Sequence, residues 1–225
     1  MPSGNRLRRQ HSRCAGACVR KSARSCGGLV KSSTSRGEYL LLGLGGNIPG
    51  PWGAPRDTLA RACRELESAG VQIVAGSHLY KTAPVGVGRQ PQYLNAVIVA
   101  RASAGPAGLL RLAKRLERRA GRRQTPPMRA RPLDIDLLDF GGRRLNWPGG
   151  RRVRGRLILP HPLLHTRVFV LVPLMEVAPT WSHPVLGRRA RTLLSKLPPE
   201  ARSGAIERVR RALDFPFRAC DKAAR

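Results

Sequence analysis

The stretch Arg131-Pro132-Leu133-Asp134-Ile135-Asp136-Leu137-Leu138-Asp139-Phe140 sets two carboxylates at i and i+2 inside an otherwise apolar run. On a β-strand alternate residues share a face. Asp134 and Asp136 therefore project together, while Leu133, Ile135 and Leu137 point the other way. Holding two like charges side by side away from water is costly unless something positive lies between them. A divalent cation meets that need, and hard carboxylate oxygens suit Mg²⁺ held jointly with phosphate groups. The plainer alternative is a surface strand with a solvated acidic face.

Working outward, the apolar run from Glu38 to Gly45 reads as a strand that ends in the turn Gly45-Gly46-Asn47. Leu59, Ala62, Cys63 and Leu66 recur at helical spacing over the 57–66 region, and Gly70 stops that helix. Val71 to Thr82 reads as one strand, Ala83 to Gln90 as a Pro/Gly loop, and Tyr93 to Ala100 as the next strand. Ser103 is placed as an N-cap. The helix behind it shows Leu109, Leu112, Ala113 and Leu116 on one face, with Arg111, Lys114, Arg115 and Arg118 on another, and ends near Gly121. With the diaspartate strand the order is β-α-β-β-α-β. This is an α+β fold with a ferredoxin-like split β-α-β sheet, an extra hairpin over 144–158, and helices packed on the sheet, the last over Val168–Val177.

Both ends are basic. Residues 1–36 hold nine Lys/Arg and no acid, and their Ser/Gly/Ala-rich composition predicts a disordered segment. That composition resembles an organellar transit peptide, and a later translation start would account for it equally. The expected division is a disordered segment 1–36, a catalytic domain 37–200 and a basic tail 201–225, within which Ala205 to Leu213 could form a short helix.

Across the chain 42 Lys+Arg oppose 13 Asp+Glu, for a net charge of +29. An excess of this size suits a polyanionic partner. With so few acids, each one inside an apolar run needs a reason. No run of 18 apolar residues exists, so no membrane partner is expected. His11, Cys14, Cys18 and Cys26 can be drawn as zinc ligands, but no paired C-x₂-C knuckle supports them, and free thiols in a reducing compartment are the simpler account.

No G-x-x-x-x-G-K-[ST] loop is present, and Gly43-x-Gly45 is followed by Ile48 where a dinucleotide fingerprint needs glycine. Phosphate must then be held by side chains. Arg122, Arg123, Arg129 and Arg131 crowd the approach to the diaspartate strand, and His161 and Arg167 lie beyond it. Two carboxylates with several arginines form a phosphoryl-transfer toolkit.

Together these pieces resemble the 6-hydroxymethyl-7,8-dihydropterin pyrophosphokinase family. The matching segments are Leu44-Gly45-Gly46-Asn47-Ile48, Leu79-Tyr80-Lys81-Thr82-Ala83-Pro84-Val85-Gly86, Gln92-Tyr93-Leu94-Asn95-Ala96, Glu117 with Gly121-Arg122, the Arg131–Asp136 run, and Leu159-Pro160-His161 with Arg167-Val168-Phe169. The resemblance implies a cytoplasmic, folate-pathway transferase that moves diphosphate from ATP to the pterin hydroxymethyl group and releases AMP. An organellar site is the alternative if residues 1–36 act as a transit peptide.

It also implies roles for particular residues. Asp134 and Asp136 hold two Mg²⁺ ions. Arg122, Arg131, His161 and Arg167 contact phosphates, and Leu157 and Ile158 lie beside the adenine. Thr82, Val85, Asn95 and Phe169 line the pterin pocket, with Tyr93 packing nearby.

The chain departs from the family pattern in several places. Pro127-Met128-Arg129-Ala130 stands where an Arg-Trp-Gly-Pro run is common, Gln124 where a second loop arginine is frequent, and Pro132 where a threonine is usual. The competing reading is a basic nucleic-acid-binding protein, which the charge favours. The core, however, offers no interleaved aromatic platform. A combination of the two, with basic tails binding polyanions non-specifically while the core does chemistry, stays open.

Overall fold

The computed structural model describes residues 37–84, 89–123, 129–147, 156–203 and 206–209. The expected segment 1–36 and Val85 lie outside them. β1 (Glu38–Gly46) lies inside the sheet and pairs antiparallel with β4 (Tyr93–Ala102) on one side and β5 (Asp134–Phe140) on the other. The sheet is completed by β2 (Gln72–Gly76), β3 (Tyr80–Thr82) and β6 (Ile206–Arg208), in the order β5-β1-β4-β3-β6 with β2 beside β4. α1 (Pro55–Ser68) and α2 (Pro106–Arg119) cover one face, which yields the expected split β-α-β arrangement.

Alternation explains the layers. Leu40, Leu42 and Leu44 of β1 meet Leu59 and Leu66 of α1 and Leu112 and Leu116 of α2 in the larger core. Leu41 and Val97 face the other way, toward α3 (Val168–Val177) and α4 (Ala190–Ser195), where Leu171, Leu174 and Leu193 complete a second core. Each fully buried leucine contributes about 1.5–3 kcal/mol through its removal from water. Both long helices on the first face end alike. Gly70 and Gly121 take φ of +84° and +92°, and the next residues, Val71 and Arg122, donate back to Leu66 O and Glu117 O at 3.0 Å.

Four expectations change. Val71 to Thr82 is two strands rather than one, because Ser77 replaces the ladder: its N–H donates to Val97 O at 2.9 Å and its Oγ accepts from Val97 N at 3.0 Å. Ser103 is not the N-cap. α2 starts at Pro106 behind Gly105, where the fixed φ and missing N–H of proline suit a first turn. The 144–158 hairpin is reduced, among the described residues, to one bridge between Leu145 and Leu159. The helix expected from Ala205 gives way at 206–208 to β6, which pairs with β3.

β5 carries one irregularity. Leu42 pairs with Leu137 and Leu41 with Asp139, so Leu138 is an extra residue opposite β1. Before this bulge Asp134, Asp136 and Leu138 face the α3 side. After it Phe140 enters the larger core, while Asp139 turns toward Trp181, whose Nε1 donates to its Oδ2 at 2.9 Å.

Candidate active site

A cleft of about 890 Å³ opens on the α3 face of the sheet, where β1, β3, β4 and β5 present their ends. Its lining includes Thr82, Tyr93, Asn95, Arg122, Arg131, Asp134, Asp136, His161, Arg167 and Phe169, all singled out from the sequence. Leu157 and Ile158 are not part of that lining: Leu157 packs on the larger core and Ile158 is buried. Val85 falls outside the described residues.

Each charged group is fixed by something identifiable. The turn that ends α2 launches Arg122, whose guanidinium meets Oδ1 of Asp134 and lies 2.8 Å from Oε2 of Glu117. Arg131 Nη1 reaches Asp134 Oδ2 at 3.0 Å. The Arg131 backbone is clamped by buried Asn47, which accepts from Arg131 N at 2.8 Å and donates its own N–H to Arg131 O at 3.0 Å. Gly46 is required there, because a Cβ would stand 2.3 Å from Pro132 O. Arg167 Nη1 approaches Asp136 Oδ2 at 3.4 Å, and its guanidinium carbon lies 5.4 Å from the Phe169 ring centroid. His161 N donates to the carbonyl of bulged Leu138 at 2.8 Å. Its Nδ1 accepts from Leu163 N at 3.2 Å, which makes Nε2 the proton-bearing nitrogen.

Glu117 organises this end of the cleft from below. It is 2% exposed, accepts Lys114 Nζ at 2.8 Å and Ile135 N at 3.0 Å, and thereby ties α2 to the diaspartate strand. Burial pushes its carboxyl up, against the opposing pull of Lys114, the Ile135 N–H and Arg122. Burial also works against the charge on Arg122, but Asp134 and Glu117 outweigh it and hold that guanidinium above its ordinary range. Lys114, which its spacing groups with Arg111, Arg115 and Arg118, lines the cleft. The signal was Glu117 itself, an acid next to Leu116 on the apolar stripe.

At the other end the chemistry turns neutral. Asn95, 7% exposed, donates through Nδ2 to Thr82 Oγ1 at 2.8 Å. Its Oδ1 lies where a Cβ on Gly45 would come within 2.7 Å, so glycine is needed beside it. Phe169 supplies a ring, and Tyr93 OH donates to Arg129 O at 3.1 Å. Ile206 of β6, opposite Thr82, closes this side, Glu200 and Ala201 of α5 (Pro199–Ser203) also line the cleft, and none of the three was marked by the sequence.

Among the described residues no group of three or more His, Cys, Asp or Glu side chains could cage a metal by itself. Asp134 and Asp136, 27% and 29% exposed on one face of the cleft, fit a hard ion that keeps waters and shares ligands with phosphate. The donor set suits Mg²⁺.

A profile of the family described as 7,8-dihydro-6-hydroxymethylpterin-pyrophosphokinase matches residues 41–179. The chain is 35% identical over 158 residues to a 2-amino-4-hydroxy-6-hydroxymethyldihydropteridine pyrophosphokinase of Synechocystis, covering 70% of this chain and 75% of that one. It is 36% identical over 169 residues to the Methylorubrum extorquens protein of the same description, covering 75% and 96%. Its fold is similar to that of Plasmodium falciparum HPPK-DHPS crystallised with pteroate. The TM-score is 0.57 at 15% identity, and the match covers 73% of this chain but 45% of that larger one.

Proposed function

The chain belongs to the 7,8-dihydro-6-hydroxymethylpterin-pyrophosphokinase family, and on that premise we propose how its cleft moves diphosphate from ATP to 6-hydroxymethyl-7,8-dihydropterin. The observation that carries the reading is one cleft with carboxylates and arginines at one end and a buried amide–hydroxyl pair at the other, with the Phe169 ring in the same lining. The first end suits a triphosphate and the second a flat heterocycle with a mixed donor and acceptor edge.

In this mechanism Asn95 and Thr82 read the pterin edge and Phe169 stacks on its ring. This aims the hydroxymethyl oxygen along the cleft toward the diaspartate strand. Arg122, Arg131, Arg167 and His161 Nε2 hold phosphate oxygens and stabilise charge as it builds. The hydroxyl oxygen forms a bond to the β-phosphorus, and the bond from that phosphorus to the α,β-bridging oxygen breaks. AMP leaves with the electron pair, and the hydroxyl proton passes to solvent. Asp134 and Asp136 are the residues that would hold Mg²⁺, two ions on this reading, which supplies charge neutralisation on the phosphates when bound. No side chain is assigned as a general base. Positioning and electrostatics carry the rate.

We place the activity in the cytoplasm, or in an organelle if residues 1–36 direct import. No described helix is long and apolar enough to cross a membrane. The deciding experiment measures AMP released from ATP and Mg²⁺ with and without 6-hydroxymethyl-7,8-dihydropterin. Release that depends on the pterin supports the proposal; ATP breakdown indifferent to it refutes the proposal.

A further inference from the structure

Outside the cleft, four polar side chains, from α3, β3, β6 and the loop before β3, converge at one edge of the sheet. Glu176, near the end of α3, accepts the backbone N–H of His78 at 3.1 Å and Tyr80 OH at 3.0 Å through Oε2. Its Oε1 contacts His78 Nδ1. On the far side of that imidazole, Arg208 Nη2 of β6 lies 2.6 Å from His78 Nε2. A guanidinium can only donate, so Nε2 must accept and Nδ1 must carry the proton toward the carboxylate. The imidazole is thereby a two-ended connector, with its donor end on α3 and its acceptor end on β6.

The element it holds is short and lies at the sheet edge, where Val209 just beyond it donates to Leu79 O at 2.8 Å. β6 has three residues and pairs only with β3 among the described residues, in the register Tyr80–Arg208, Lys81–Glu207 and Thr82–Ile206. Thr82 and Ile206 both line the cleft, and Thr82 is the hydroxyl that Asn95 engages. The connector therefore acts two residues, about 7 Å along the strand, from the neutral wall of the cleft.

Building on the pterin assignment above, we infer that His78 is a positioning residue for the pterin wall. By linking Glu176 to Arg208 it holds β6 in register on β3, so that Ile206 stays against Thr82 and closes the heterocycle end of the cleft. The phosphate end, built on α2, β5 and the His161–Arg167 segment, has no part in this contact. His78 should thus affect one substrate and not the other.

The test compares wild type, His78→Ala, Arg208→Ala and His78→Gln, because an amide side chain can donate to a carboxylate and accept from a guanidinium. In the full chain, His78→Ala and Arg208→Ala should each raise KM for the pterin about fivefold to tenfold, with KM for ATP changing less than about twofold. His78→Gln should restore most of the loss. If both alanine variants keep the wild-type pterin KM, the inference fails. It fails too if KM for both substrates rises together, or if glutamine behaves as alanine does. If His78→Ala does not fold, Arg208→Ala on the exposed edge strand decides alone. Failure of the functional reading would look different, since the wild-type protein itself would then show no pterin-dependent AMP release.

Discussion

Replacing Gly121 with alanine should damage stability and catalysis together, and the reason is local geometry. Gly121 sits at φ +92°, where an L-residue carries strain of about 1–2 kcal/mol. A Cβ there would lie 2.5 Å from Pro51 Cδ and 3.1 Å from Pro51 Cγ, closer than packed carbons tolerate, which adds about 1–3 kcal/mol. The expected total is about 2–5 kcal/mol, seen in urea unfolding as a lower midpoint at unchanged slope. The backbone can relieve the clash only by shifting the turn whose next residue is Arg122, so kcat should fall about tenfold or more.

Gly70→Ala is the matched control. It has the same helix-ending turn at φ +84°, but nothing lies within 4 Å of the added carbon. It should cost only the strain of about 1–2 kcal/mol and leave kcat unchanged. Equal effects of the two substitutions on stability and turnover would refute the claim that the Pro51 contact aims Arg122.

Asp134→Asn and Asp136→Asn should each abolish turnover while circular dichroism stays native. Asp134→Asn should lose more stability because it faces two arginines where Asp136 faces one; near wild-type turnover of either in saturating Mg²⁺ would overturn the metal assignment. Arg131→Ala should lower turnover by the equivalent of about 1.5–3 kcal/mol, whereas Arg111→Ala and Arg118→Ala, on the exposed face of α2, should be silent in the same assay. Deleting residues 1–36 should leave pterin-dependent activity intact, with any loss confined to non-specific polyanion binding and visible as a shallower salt dependence.

Acid should weaken the fold through His183, which is fully buried with Nδ1 accepting from Val185 N and Leu186 N at 3.2 Å. Burial, then nearby His165 and Arg144, hold its pKa down to about 4. A folded value below the unfolded one means that its contribution is complete above about pH 6.5 and is lost as pH falls toward 4. The amount is up to about 3 kcal/mol, and His183→Asn should flatten that stretch of a stability–pH curve.

The diaspartate strand was legible because acids are so scarce here that two in an apolar run had to be explained, and both helices on the larger core were legible from leucine spacing alone. The part Lys114 plays in the cleft was hidden for a physical reason: periodicity fixes the angle at which a side chain leaves a helix, not where a long flexible stem puts its charge. Ser77 hid a break in the strand because a hydroxyl can stand in for a ladder carbonyl without disturbing the alternation. Ile206 and Arg208 left no trace, since a three-residue strand is too short to show a period and its pairing is decided entirely by tertiary contact. The share of the cleft closed by α5 and β6 was therefore beyond reach, while the charged end was readable in advance.

The extra residue in β5 bears on which errors this protein can tolerate. The group that anchors His161 is the main-chain oxygen of Leu138, released from the ladder by the bulge, and no amino-acid replacement at 138 short of one that distorts the backbone can delete it. Point substitution is thus a weak threat to this anchor, while loss of a single codon is a severe one. Removing Leu138 would restore regular pairing with β1 and withdraw the oxygen from His161, while Leu137 and Asp139, already opposite Leu42 and Leu41, would keep their faces. Over evolutionary time the position should keep a buried apolar side chain and stay fixed in count.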